Sequence, residues 1–167
     1  MKNISTKVKE KEKAGVVGRV RITTYKAGTK EMIRQTPWSR NIIVSTDGYG
    51  RNIVARRLGG DNTYSLNVTH GEIGTGTAPV SVSDTALATP TLRTVMTAPV
   101  ISNNAVSLQF FFADGLLADD TYYEFGSFID GSSGIGTGRM FNHVLFGTPY
   151  VKAGGEDTTV EVDITIN

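Results

Sequence analysis

This sequence predicts an antiparallel β-sandwich with one short α-helix and an extended N-terminal arm. Three observations carry that prediction. Apolar and polar residues alternate with a period of two in several stretches. The clearest is Val106, Leu108, Phe110 and Phe112 against Ser107, Gln109 and Phe111; Val160, Val162, Ile164 and Ile166 against Glu161, Asp163 and Thr165 is another. β-Branched residues abound, with 21 threonines and 16 valines in 167 residues. Turn-forming clusters recur between these stretches and only one segment carries helical signals, so no β–α–β alternation arises. Jelly-roll and immunoglobulin-like topologies are both open at this level.

The elements follow in order. Residues 1–15 read as a flexible basic arm, with scattered apolar residues, no periodicity, and Lys and Glu alternating from Lys7 to Lys13. Residues 16–167 read as a single sandwich domain. Val16 to Tyr25 is β-prone, Ala27 to Lys30 a turn, and Glu31 to Gln35 the returning arm of a hairpin. Asn41 to Val44 reads as a short buried strand. The helix is expected over 48–58, with Ser45, Thr46 and Asp47 as N-cap candidates, an apolar stripe of Tyr49, Ile53, Val54 and Leu58, and Gly59-Gly60 as the stop. Tyr64 to His70 alternates as a strand. Leu92 to Ile101 is extended, with Pro99 marking an edge or a bulge. Ser102-Asn103-Asn104 is a hairpin turn. Tyr123 to Ile129 and Arg139 to Phe146 are further strands around the glycine–serine loop Gly131 to Gly138, giving about eight strands in all.

Composition excludes several functions. With no cysteine there is no disulfide framework, thiolate metal site or cysteine nucleophile. No apolar run approaches the length of a membrane span, and the charged start does not read as a secretory signal. Gly74-Thr75-Gly76-Thr77 and Gly136-Thr137-Gly138 lack the lysine of a phosphate-binding loop and read as tight turns. Asp119, Asp120 and Glu124 form a small acidic cluster without the spacing of a calcium loop. No nucleophile elbow and no selected carboxylate pair appears. The expectation is therefore a non-enzyme with no cofactor and no metal.

Charge is divided sharply along the chain. Residues 1–60 hold 14 Lys/Arg against 4 Asp/Glu, and residues 61–167 hold 3 against 12. Nucleic acid, an acidic protein surface, and the acidic half of a neighbouring copy are the three partners such a split could serve. Nucleic acid is disfavoured, because the basic half has no aromatic stacking pattern and its helix is short. Phe111 cannot share a face with Phe110 and Phe112 on one strand. It meets either the helix, laid over that face, or another subunit. The residues singled out for subunit contact are Lys7, Lys9, Lys11, Lys13, Arg19, Arg21, Trp38 and Phe111.

Four stretches, taken together and in order, resemble small virion structural proteins of tailed bacteriophages, of the tail-fibre and baseplate type. They are Asn41 to Gly48 with the helix ending at Leu58-Gly59-Gly60, Ile73 to Pro79, Ser83 to Leu87, and Glu124 to Asp130. The resemblance covers residues 38–167. It implies a loop crossing the sandwich after the Gly-Thr-Gly-Thr turn, Leu87 in the core, and Glu124 preceding a core strand. Ser127-Phe128 stands where the family pattern has an apolar pair, which implies a local change of packing. No catalytic residue is implied. The expected role is assembly with other virion proteins and with copies of itself. The expected place is the tail, baseplate or fibre-attachment region of a virion put together in the host bacterial cytoplasm. A head decoration or collar role is the alternative within the particle. A host-glycan-binding module using Trp38, Tyr49, Tyr64 or Tyr150 is the alternative outside it.

Overall fold

The computed structural model describes residues 15–167. Ten strands and one helix run in the order β1 (Val16–Lys26), β2 (Met32–Gln35), β3 (Ser39–Arg40), β4 (Ile42–Ile43), α1 (Gly50–Leu58), β5 (Val68–Gly74), β6 (Pro90–Ser102), β7 (Ala105–Phe112), β8 (Thr121–Ile129), β9 (Arg139–Val151) and β10 (Glu156–Ile166). All pairings are antiparallel. The lateral order is β2-β1-β10-β7-β6-β5-β8-β9-β4, with β3 also on β1.

The sheet curls into two layers. β6 makes one joint, because its first half pairs with β5 and its second half with β7. The segment 39–43 makes the other: Ser39 and Arg40 pair with β1, while Ile42 and Ile43 pair with β9. The predicted bulge at Pro99 lies inside β6, where the register shifts between Thr97 and Val100. A proline has no amide hydrogen for the ladder, and the bulge absorbs that loss.

Period-two alternation places Val20, Ile22, Leu108, Phe110, Phe112, Val160, Val162 and Ile164 inward from one layer. They meet Ile73, Phe125 and Val144 from the other in one continuous core. The rings of Phe110 and Phe125 touch across it, tilted 54° with centroids 5.2 Å apart. Gly71 makes room for that contact, since a Cβ there would lie 2.6 Å from both rings. Gly71→Ala should therefore destabilise the protein by about 1–3 kcal/mol through overpacking. A lowered urea midpoint at unchanged m-value would show it.

Several elements differ from the sequence expectation. The helix begins at Gly50, and its N-cap is Tyr49 with no side-chain cap; Ser45, Thr46 and Asp47 do not cap it. Asp47 pairs with Arg56 instead, at 2.7 Å. Leu58, assigned to the apolar stripe, is 86% exposed, whereas Ile53 is fully buried. The expected strand over Tyr64 to His70 starts only at Val68, because Leu66 takes a left-handed backbone (φ 63°). Gly59 ends the helix as expected, its N–H bonding Ala55 O.

Candidate interaction surface and the clusters behind it

The outer face of the first layer gathers half of the residues singled out from the sequence. Arg19 and Arg21 project from β1, and both guanidinium groups lie over the Trp38 ring, 4.3 and 4.4 Å from its centroid. Phe111 is on the same face two strands away, since Phe111 opposes Thr159 and Thr159 opposes Thr23. It is 44% exposed between the buried Phe110 and Phe112. The helix does not cover it: α1 packs at the end of the molecule where β1 starts, Arg51 donating to Val16 O and Ile53 entering the core. Lys7, Lys9, Lys11 and Lys13 lie outside the described residues.

The register of β1 on β10 gives the charge division a use within one chain. Arg19 pairs with Asp163 at 2.9 Å and Arg21 with Glu161 at 2.6 Å, directly across the ladder. Arg34 joins Glu156 at 2.5 Å and also donates to Val151 O, bridging β2 to β9 and β10. Arg56 reaches Asp61. In each pair the base comes from the first 60 residues and the acid from the remainder. These pairs are partly exposed, so solvent screens them and each adds little to stability. Every charge on β1 is basic and every charge on β10 acidic, so the pairs favour the partnership of these two strands.

The aromatic residues considered for sugar stacking are all engaged. Arg139 lies 5.0 Å from the Tyr49 ring and 5.1 Å from that of Tyr64. Tyr150 is buried, with Arg34 over it and its hydroxyl between Thr24 and Thr158. Trp38 carries its two arginines. A sugar would have to displace a guanidinium from each accessible ring.

Beneath the surface lie three polar clusters, and the resemblance motifs converge on the first. Glu124 in β8 is fully buried and accepts the N–H groups of Gly76 (3.1 Å), Ala88 (3.0 Å) and Thr89 (2.7 Å). His143 in β9 puts Nε2 3.0 Å from Glu124 and Nδ1 2.7 Å from Asp84. Glu124 thus holds both ends of the loop 75–89 against the second layer, and His143 holds its middle at Asp84. Leu87 from that loop is buried with Val44, Phe128 and Met140, as expected of it. Burial pushes His143 down, but its bonds to Glu124 and Asp84 outweigh this and the net shift is upward. Burial pushes Glu124 up, but His143 and the amides of Thr89 and Ala88 bring it below the usual carboxylate range. Ser127, the departure from the family pattern, bonds Asn142 in the interior, and the register shifts between Ser127 and Phe128.

In the second cluster Glu72 of β5 and Arg93 of β6 form a buried pair at 2.5 Å. Glu72 also accepts the Gly136 N–H at 2.6 Å, while Arg93 donates to Thr137 O and lies 4.8 Å from the Phe128 ring. Both Gly-Thr-Gly loops therefore do cradle an anion, and in each case the anion is a glutamate of the same chain. In the third cluster the Lys152 amine is buried between Asp114 (2.7 Å) and Asp119 (2.9 Å). This dissolves the acidic cluster read from the sequence. Asp119 neutralises a lysine, Asp120 accepts the Thr121 N–H, and Glu124 belongs to His143.

These groups are placed to hold loops. Both ring nitrogens of His143 face carboxylates, so neither is free to take a proton from a substrate. Among the described residues no group of three or more His, Asp or Glu side chains is arranged to hold a metal ion. No described helix is long and apolar enough to cross a membrane. No spacing pattern marks Glu72, Arg93 or His143; the glycine loops are the visible half of two contacts whose other half lies on distant strands. Compared with known proteins, the chain matches no family model, no curated protein and no solved structure.

Proposed function

We propose that this chain is a non-enzymatic structural component of a tailed-bacteriophage virion, assembling through subunit contacts in the tail, baseplate or fibre-attachment region. The observation that supports it is the outer face of β2-β1-β10-β7. Trp38, Arg19, Arg21 and Phe111 share that face, and tryptophan and arginine are residue types that dominate binding energy at protein interfaces. The ordered motifs of residues 38–167 supply the virion context by resemblance, and the basic arm adds a second attachment point.

Two measurements test this. Sedimentation of the purified chain over rising concentration should reveal self-association. Phe111→Ser, a change at an outward-facing position, should raise the dissociation constant about tenfold or more. Mass spectrometry of particles released from the source bacterium should find the chain, and labelled-antibody electron microscopy should place it on the tail rather than the head or collar. A strictly monomeric protein absent from the particles would overturn the reading.

A further inference from the structure

The two ends of the sandwich carry matching surfaces of opposite charge. At the end where β1 begins, a cleft of about 560 Å³ lies between β1 and α1, lined by Val16, Val17, Val54 and Leu58, with Arg40 and Arg51 in its wall. Leu58 is 86% exposed there, and both arginines are exposed. Arg51 gives one bond to Val16 O, and a guanidinium has five donors to give.

At the opposite end the loop 113–120 joins β7 to β8. Leu117 is buried and fixes the loop, while its neighbour Leu116 is 73% exposed. The N–H groups of both bond Ala113 O, which makes a tight turn with Leu116 on its outside. Asp114 ties this turn to the N–H groups of Gly155 and Glu156 and to the Lys152 amine. The apolar knob is therefore preformed and loses little freedom on docking. Asp119 and Asp120 are exposed beside it. The loop sets Asp114, Asp119 and Asp120 against the single Lys152 and stays net negative.

We propose that Leu116 of one copy enters the β1–α1 cleft of the next, with Asp119 and Asp120 set against Arg40 and Arg51. The occupant is a second copy of this chain because an apolar knob flanked by acids fits an apolar cleft flanked by bases, and every molecule carries both. The two surfaces differ and are separated by the eleven residues of β1, about 35 Å at ~3.3 Å per residue. The contact is therefore head-to-tail, and it repeats from copy to copy into a ring or a fibre. It rests on the self-association proposed above, adds the ends of the sandwich to the Trp38–Phe111 face, and does not need the virion assignment.

The absence of cysteine makes a direct test available in the full chain. A mixture of Leu58→Cys and Leu116→Cys chains should give a disulfide-linked dimer under mild oxidation. Both changes in one chain should give a series of dimers, trimers and longer products. Leu58→Cys mixed with Val95→Cys, an exposed position on the outer sheet face, should link far less. Arg51→Glu and Asp120→Lys should each weaken self-association several-fold in sedimentation. Mixed together they should associate again, because the unaltered loop of the first meets the unaltered cleft of the second. Phe111→Ser should leave the link between positions 58 and 116 intact, which separates this contact from the one on the face; its loss there would make the two a single contact and overturn the proposal. No mixed disulfide, or one formed as readily with Val95→Cys, would also overturn it, as would charge reversals that change nothing.

Discussion

Arg93→Ala is expected to destabilise the protein by about 3–5 kcal/mol, the usual effect of removing one partner from a buried ion pair. The Glu72 carboxylate has no exposure, and without Arg93 it keeps only the Gly136 N–H. A charge in that position must either take up a proton or open the structure to water. Arg93 also holds Thr137 O, so the loop 131–138 loses its attachment to β6 and keeps only the bonds of Gly136 to Glu72 and of Gly131 to Thr69 on β5. The reverse change, Glu72→Ala, should cost a similar amount by stranding the guanidinium. Replacing both by methionine should cost much less than either single change. Glu72 Oε2 and Arg93 Nε lack a protein partner even in the intact pair, so the pair carries an unrecovered desolvation cost. Urea unfolding of the two single variants and the double variant forms a mutant cycle. Single changes costing less than about 1 kcal/mol would show that the pair does not anchor the loop.

The sandwich was legible because burial on one face of a strand imposes a period of two, and that period is a local property. Phe110 and Phe112 against Phe111 could be read without knowing any partner strand. The same holds for the bulge at Pro99, which has no amide hydrogen, and for the stop at Gly59-Gly60, where Gly60 takes a left-handed backbone (φ 82°). Leu66 escaped because a left-handed backbone at a leucine has no sequence signal; the alternation through Tyr64 to His70 concealed it. The charge division was visible but its use was not, because Arg21 meets Glu161 only once the first and last strands lie side by side. His143 was invisible for the same reason. Its partners Asp84 and Glu124 lie on a loop and on a different strand, and nothing in the interval between them marks the meeting point.

Glu124→Ala should be about as damaging as the loss of Arg93, and its pH dependence distinguishes it. The change leaves the buried Gly76 N–H, the more accessible Ala88 and Thr89 N–H groups and the buried His143 imidazole without this acceptor, and a buried donor left so costs about 1–3 kcal/mol. In the intact protein His143 titrates above its ordinary value of 6.5, so its contribution is complete below that value and fades as pH rises through the raised one. Glu124 titrates below its ordinary value of 4.5, so its contribution is complete above that value and fades as pH falls through the lowered one. The cluster is at full strength between the two ordinary values, with Asp84 as the other charged group facing the imidazole. Stability measured by urea unfolding should therefore decline as pH is raised above this window. In Glu124→Ala that decline should be reduced, because His143 then has only Asp84 to oppose the burial that pushes it down. A variant that lost stability equally at every pH would show that His143 carries no charge in the folded protein. The loop 75–89 would then be held by the backbone bonds of Glu124 alone.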